Sequence, residues 1–154
     1  MKTKDELQGE IRYAIRLTQR TARLYRRLQA LGIFVSVLGG SAAVASITGH
    51  VPSWIPIFGG ILLAVTGAAL LAIRPADKAA QNESDARRYQ SLMLRSVTLD
   101  DEALAVALEE THQGDAPEIE ILRDVAYNDV AREIGRPDAV VPLSFPQKFL
   151  EVLA

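Results

Sequence analysis

Residues 28–73 read LQALGIFVSVLGGSAAVASITGHVPSWIPIFGGILLAVTGAALLAI and contain no Asp, Glu, Lys or Arg. Arg27 and Arg74 flank this charge-free segment. A charged side chain inside a bilayer costs several kcal/mol, so a charge-free run of this length is typical of membrane-spanning helices. The segment therefore decides how the rest of the chain is interpreted.

The segment has room for two spanning helices, since one span needs about 20 apolar residues. We predict transmembrane helices at 28–48 and 55–73, joined by a short turn that ends at Trp54. Gly and Pro in this turn break the helix, and Trp favours the water–lipid interface. Two buried helices of a soluble protein are the alternative, but the remaining chain is too small to cover them. A cleaved signal peptide is not expected, because the apolar run starts late and a second run follows it.

Positive charge predicts the orientation of this hairpin. Basic residues precede the first helix and follow the second, whereas the turn between them carries no charge. Lys and Arg are enriched on the cytoplasmic side of membrane proteins. Both termini are therefore expected in the cytoplasm, and the turn is expected outside.

The two halves of the chain differ in charge. Residues 1–74 carry nine basic and three acidic side chains, and residues 75–154 carry eight basic and sixteen acidic ones. Anionic headgroups attract each nearby Arg by about 1 kcal/mol. An acidic domain is expected to project away from that surface, and nucleic acid is not an expected partner. The side chains predicted to contact lipid headgroups are Arg12, Arg16, Arg20, Arg23, Arg27, Arg74 and Trp54.

These features predict an all-α membrane protein with three regions. Residues 1–27 form a basic amphipathic juxtamembrane helix, and no Pro or Gly between Glu10 and Leu31 prevents it from continuing into the first span. Residues 28–74 form the transmembrane hairpin. Residues 75–154 form an acidic cytoplasmic helical bundle with an apolar tail.

Three helices are predicted in the cytoplasmic region. Pro75 marks a kink or a restart, after which 76–96 has a helical pattern. Thr98 or Asp100 caps a second helix that ends near residue 111. A third helix is expected to begin at Pro117 and to end at Gly135.

The remaining chain, 136–154, is too apolar for a free disordered end. Residues 136–145 hold two Pro and are predicted to be extended, and 146–153 to be a last short helix or an ordered tail. The tail is expected to dock on the bundle or on a neighbouring subunit. Its apolar residues are Val140, Val141, Leu143, Phe145, Phe149, Leu150 and Leu153.

Small residues recur at every fourth position of both spans, which predicts helix packing and oligomerisation. Lipid tails are as apolar as Leu, so helices associate in a bilayer through the close contact that small side chains permit. Gly and Ala are also common in spans generally. The two predicted stripes are Gly32, Ser36 and Gly40, and Gly60, Ala64, Ala68 and Ala72.

The sequence predicts neither a catalytic residue, nor a cofactor site, nor a metal site. It has no Cys, which excludes disulfides, thiolate metal sites and Cys nucleophiles. Glu110 and His112 are two residues apart and do not share a helix face. No phosphate-binding loop or nucleophile elbow occurs. An assembled pore would be poorly selective, because its polar lining would be limited to Ser36, Ser41, Thr48 and Thr66.

The layout resembles the SLATT superfamily, the two-transmembrane effectors associated with SMODS nucleotidyltransferases and SLOG sensors in bacterial conflict systems. The resemblance covers a basic N-terminal helix, two spans with a short turn, and two short motifs. It implies a location in the bacterial inner membrane, and a sensor protein or a nucleotide signal as activator. The motif residues are Arg87, Arg88, Tyr89 and Leu92, and Ala126, Tyr127 and Asn128.

Two classes of function follow. The first is a homo-oligomeric effector that forms a pore or disrupts the inner membrane in antiviral defence, by abortive infection. The second is a non-conducting, membrane-anchored scaffold or adaptor. A phage-borne small membrane protein, holin-like or acting in superinfection exclusion, is a further alternative, and an enzyme is not expected.

Overall fold

The computed structural model describes residues 2–45, 52 and 54–154, and within them it is all-helical, as predicted. The predicted turn residues Gly49, His50, Val51 and Ser53, and the end of the first predicted span at 46–48, lie outside the described residues. The helices are α1 (Lys4–Ala45), α2 (Trp54–Ile73), α3 (Pro75–Arg95), α4 (Asp101–His112), α5 (Arg123–Glu133) and α6 (Phe145–Leu153).

Helix α1 is a single α-helix of 42 residues. It includes the predicted amphipathic segment and passes without a break into the apolar residues that follow Arg27. The expectation of one continuous helix is therefore confirmed as far as Ala45. Leu7, Ile11 and Leu17 are each buried, which identifies the inner face of its first half.

The chain divides into two compact units. Unit 1 contains residues 1–24 and 78–154, and unit 2 contains residues 25–77. The first residues of the chain thus pack with the acidic helices, whereas the sequence suggested a separate juxtamembrane helix.

Two apolar clusters stabilise unit 1. The first joins α1 to α3 and α4 through Leu7, Ile11, Tyr89, Leu92 and Leu104, all nearly fully buried. Full burial of a Leu or Ile side chain contributes about 1.5–3 kcal/mol. This cluster therefore fixes the N-terminal end of α1 to the helices that follow the apolar segment in sequence.

The second cluster joins α1 to the C-terminal part of the chain. Leu17 packs with Leu122 and Ala126, and Ala154 is buried in the same cluster. Leu150 of α6 packs against it. The apolar tail therefore docks on its own bundle with one face of α6, which was one of the two predicted locations.

Local signals fix three of the helix ends. Helix α3 begins at Pro75, directly after Arg74, whose backbone has a φ of 50°. Asp100 caps α4 and accepts a hydrogen bond from the Ala103 N–H at 2.8 Å. Gly135 follows α5 with a φ of 73°, a conformation that Gly adopts readily. The predicted ends at Pro75, Asp100 and Gly135 are confirmed.

The predicted start of the third cytoplasmic helix at Pro117 is wrong. The helical turn Glu120–Leu122 comes first, and α5 begins at Arg123. The preceding loop is fixed by α3, because the Ala116 N–H donates to the buried Asp85 carboxylate at 2.9 Å. A partner distant in sequence thus delays the helix.

Candidate functional site

Unit 2 presents an apolar surface without charge between residues 28 and 73. Helix α2, as part of the continuous stretch Trp54–Arg95, is long and apolar enough to cross a membrane. Only 6% of the most apolar 18 consecutive residues of this stretch is buried. The exposed large apolar residues of α2 are Trp54, Ile57, Phe58, Ile61, Leu62, Leu63, Val65, Leu71 and Ile73. Those of the facing half of α1 are Leu28, Leu31, Ile33, Phe34, Val37, Leu38 and Val44.

Within unit 2, α1 and α2 approach each other at glycines. A Cβ atom on Gly39 would lie 2.6 Å from the Gly59 carbonyl oxygen and 3.1 Å from the Leu63 backbone nitrogen. A Cβ atom on Gly32 would lie 2.6 Å from the end of the Leu70 side chain. Residues later in α1 thus meet residues earlier in α2, so the two helices run antiparallel.

The contact between α1 and α2 uses only part of the two predicted small-residue stripes. Gly32 is buried in the contact, whereas Ser36 and Gly40 are half-buried, and the close contact uses Gly39 rather than Gly40. On α2 the contact uses Gly59 rather than Gly60, and a Cβ atom on Gly60 would meet no atom within 4 Å. The rest of the second stripe is exposed, at Ala64, Ala68 and Ala72.

The hydroxyl residues of the two predicted spans have different surroundings. The Ser36 hydroxyl is buried and has no hydrogen-bond partner among the described residues. Ser41 donates to the Val37 carbonyl oxygen at 2.8 Å, a bond within the helix. Thr66 is half-buried, and Thr48 lies outside the described residues.

Three of the arginines predicted to contact lipid instead lie against the acidic helix α5. Arg20 binds both carboxylate oxygens of Asp129 at 2.7 and 2.8 Å and donates to the Glu151 carbonyl oxygen at 2.7 Å. Its side chain is only 11% exposed. Arg16 and Arg12 bind Glu133 at 2.7 and 3.8 Å. For Arg20 a role in lipid contact is wrong, because its guanidinium group is occupied inside unit 1.

The other predicted headgroup contacts lie on exposed parts of the chain. Arg23 and Arg27 are exposed. Arg74 is paired with Asp77 at 2.7 Å, with its side chain 73% exposed. Trp54 is the first residue of α2 and is also exposed. A headgroup role for these four remains a prediction.

Arg88 and Tyr89, from the first motif, fasten the loop after α4 to α3. Arg88 donates to Asp85 at 2.6 Å and to the Gly114 carbonyl oxygen at 2.9 Å. The Tyr89 hydroxyl donates to the Asp115 carboxylate, while its ring lies in the apolar core. Arg87 is exposed. We call the set Asp85, Arg88, Tyr89 and Asp115 the loop clamp.

Within the loop clamp, the surroundings raise the pKa values of Asp115 and Tyr89. Burial raises the pKa of the Asp115 carboxyl, and the nearby Asp85 charge adds to this, against the hydrogen bond from Tyr89. Burial and the bond to Asp115 raise the pKa of Tyr89. Every side chain of the clamp has a partner within unit 1, so the geometry is that of a structural fastening.

The second motif is also part of the scaffold. Ala126 is fully buried in the second cluster. The Asn128 amide is 1% exposed and forms paired hydrogen bonds of 2.8 Å with the backbone N–H and carbonyl of Val141. Tyr127 is 43% exposed and lines a groove between the first turns of α1 and helix α5. Sequence reasoning found Asn128 but not its partner, which lies 13 residues away.

Among the described residues, no group of three or more His, Cys, Asp and Glu side chains is arranged to hold a metal ion. His112 packs its ring against Tyr89, with 5.5 Å between centroids. His50 lies outside the described residues.

Comparison with known proteins finds no matching family model, no matching curated protein and no matching solved structure.

Proposed function

We propose that this chain is a homo-oligomeric, multi-pass effector of the bacterial inner membrane that forms a pore or disrupts the bilayer. The observation that carries the proposal is the charge-free surface of unit 2, where large apolar side chains are exposed along both helices. The hairpin in this proposal consists of the second half of α1 and all of α2.

The surface of unit 2 is unsuited to water. Monomeric soluble proteins rarely expose a contiguous apolar patch larger than a few hundred Å². Removing such surface from water is favourable by about 25 cal/mol per Å². A bilayer offers that gain along the whole length of both helices, whose backbone groups are already satisfied within the helix.

Charge at the ends of the hairpin supports an orientation with both termini in the cytoplasm. Arg26, Arg27 and Arg74 stand at the boundaries, and no charged residue occurs between the helices. Retention of positive charge on the cytoplasmic side favours this topology. The contacts of the earlier arginines of α1 with α5 leave this argument intact, because it depends on the residues nearest to the spans.

Assembly is supported by the exposed side of α2. Gly39 and Gly59 are used inside the hairpin, whereas Ala64 and Ala68 are exposed and leave a smooth face for a second hairpin. A pore between such faces would have few polar groups, so it would conduct with little selectivity.

The role in antiviral defence rests on the resemblance to SLATT effectors. In this proposal a sensor protein or a nucleotide signal triggers the assembly, and the cell stops growing before a phage completes its cycle. The chain acts without a cofactor or catalytic step.

The test combines assembly and conductance. Gly60→Leu, Ala64→Leu and Ala68→Leu, made together, fill the exposed face of α2 without touching the contact at Gly39. We expect a smaller particle in detergent and loss of depolarisation in cells that carry a voltage-sensitive dye. Ile57→Leu with Ile61→Leu is the matched control and should leave both unchanged.

A scaffold is the second candidate, favoured by the absence of charged groups between residues 28 and 73. It predicts that the particle stays oligomeric while the membrane stays polarised under every activating condition, infection included. That outcome would exclude a pore and would support a non-conducting, membrane-anchored scaffold.

A further inference from the structure

Helix α6 carries apolar residues on two of its faces. Leu150 and the following Ala154 face the second cluster of unit 1. Phe145, Phe149 and Val152 face outward and are 86%, 62% and 76% exposed. Their spacing of four and three residues places them on one side of the helix, which we call the α6 stripe.

A groove of about 620 Å³ lies elsewhere on unit 1, between the first turns of α1 and helix α5. Its floor is apolar and partly exposed, with Tyr127, Ile134 and Val141 at 43%, 52% and 39% exposure. This volume is in the range of pockets that accept compact apolar groups. We call it the α1–α5 groove.

The stripe cannot reach the groove of its own chain while α6 stays docked. The opposite face of α6 is fixed to unit 1 through Leu150, and Gln147 donates to Asp124 at 2.7 Å. The stripe therefore points away from the unit that carries it. Its occupant has to come from outside that unit.

Charge favours a second copy as the occupant. Lys148 lies beside the stripe, is exposed, and its ammonium group has no partner among the described residues. The rim of the groove carries Glu6, Glu10 and Asp124, and its cation Arg123 pairs with Glu118 at 3.2 Å. Lys2 pairs with Glu10 at 2.5 Å, and the rim keeps a net negative charge because its three acidic groups outnumber Lys2 and Arg123. An apolar stripe with a cation thus matches an apolar groove with an acidic rim.

We propose that α6 of one copy inserts Phe145, Phe149 and Val152 into the α1–α5 groove of a neighbouring copy, with Lys148 against the acidic rim. The contact is head-to-tail, because stripe and groove are different surfaces. Such contacts build closed rings when the rotation closes, and open filaments otherwise. Anchoring in one membrane raises the effective concentration of both surfaces. The inference deepens the proposed assembly and rests on it for the membrane setting only.

The absence of Cys from the chain allows a direct cross-linking test on the whole protein in detergent. The variants Phe149→Cys and Ile134→Cys are purified separately, mixed, and treated with a short bismaleimide. We expect a cross-linked dimer from the mixture, several-fold more abundant than from either variant alone. Val106→Cys is the control for Ile134→Cys, because Val106 is 55% exposed on α4 and outside the groove.

Three outcomes would overturn the inference. One is equal cross-linking of the Phe149→Cys variant to Ile134→Cys and to Val106→Cys. Another is a dimer from Phe149→Cys alone that exceeds the mixed product, which would mean that two stripes pair symmetrically. The last is protection of the Phe149→Cys thiol from a water-soluble maleimide in nanodiscs that hold one copy, which would mean that the stripe binds lipid.

A charged variant separates this inference from the proposed function. Phe149→Asp should reduce the particle mass in detergent, whereas Leu94→Asp, at a comparably exposed site on α3, should not. If cross-linking fails while the membrane still depolarises, the head-to-tail contact is wrong and the proposed function stands. If cross-linking succeeds while the membrane stays polarised, the contact stands and the pore is wrong.

Discussion

Unit 2 and unit 1 are stabilised by opposite means. In unit 2 the helices approach through glycines and expose apolar side chains, and no charged residue occurs between 28 and 73. In unit 1 two clusters of buried apolar side chains join the helices, and the ion pair Arg20–Asp129 joins segments 109 residues apart. The difference shows that one chain combines a charge-free, exposed apolar surface in unit 2 with a buried apolar core and ion pairs in unit 1.

The largest effect is expected from placing a charge in unit 2. Ile61→Arg puts a guanidinium group on the exposed face of α2, where insertion scales assign Arg a cost of about 2.5–3.5 kcal/mol. We expect loss of the chain from the membrane fraction. Leu94→Arg makes the same change on an exposed Leu of unit 1 and should leave the fractionation unchanged. Equal behaviour of the two variants would contradict the difference between the units.

The next effect concerns the ion pairs of unit 1. Arg20→Ala removes a bidentate ion pair and leaves the Asp129 carboxylate unpaired with Arg20 in a partly buried site. We expect the free energy of unfolding to fall by about 2–3 kcal/mol. Arg16→Ala breaks a more exposed pair and should cost about 0.5 kcal/mol. Urea unfolding followed by hydrogen exchange of the α5 amides measures both. A larger effect for Arg16→Ala would show that exposure does not rank these pairs.

A pair of adjacent glycines tests the helix contact in unit 2. Gly39→Ala would force a Cβ atom to within 2.6 Å of the Gly59 carbonyl oxygen, so we expect a cost of about 1–3 kcal/mol from displaced helices. A Cβ atom on Gly40 would meet no atom within 4 Å, so Gly40→Ala should be neutral or slightly stabilising. Thermal denaturation in detergent distinguishes them. A larger loss of stability for Gly40→Ala than for Gly39→Ala would mean that the helices meet on the stripe predicted from sequence.

The smallest expected effect is a pH dependence at Asp115. Because its pKa is raised above 3.8 in the folded chain, the folded state binds this proton more tightly than the unfolded state. Its contribution to stability is therefore complete below pH 3.8 and is lost as the pH rises through the raised pKa. Asp115→Asn keeps an acceptor for Tyr89 and should remove this decline. Unfolding midpoints of both proteins at several pH values provide the measurement, and parallel curves would contradict it.

The sequence was informative where a single local rule applies. The charge-free run predicted the apolar unit 2, and Pro75, Asp100 and Gly135 predicted helix ends, because caps and breakers act on neighbouring residues. The contacts between distant segments were harder to predict. Periodicity placed Arg20 on a polar face, but nothing local shows that Asp129 faces it.

The contact at Gly39 was missed for a related reason. Two adjacent glycines on each helix offer two registers, and the spacing of four residues favoured Gly40 and Gly60. Which register is used depends on how the helices cross, and that is a property of the pair. The start of α5 likewise depends on Asp85 of another helix.

The backbone of Arg74 has one more consequence. Its φ of 50° lies in the left-handed region, which costs a residue with a side chain about 1 kcal/mol and costs Gly nothing. The chain tolerates this strain at the residue where the apolar segment ends and α3 begins. A glycine there would relax the backbone but would remove the cation and its ion pair with Asp77 at 2.7 Å, so Arg74→Gly would exchange the backbone strain for a lost positive charge at the end of the apolar segment.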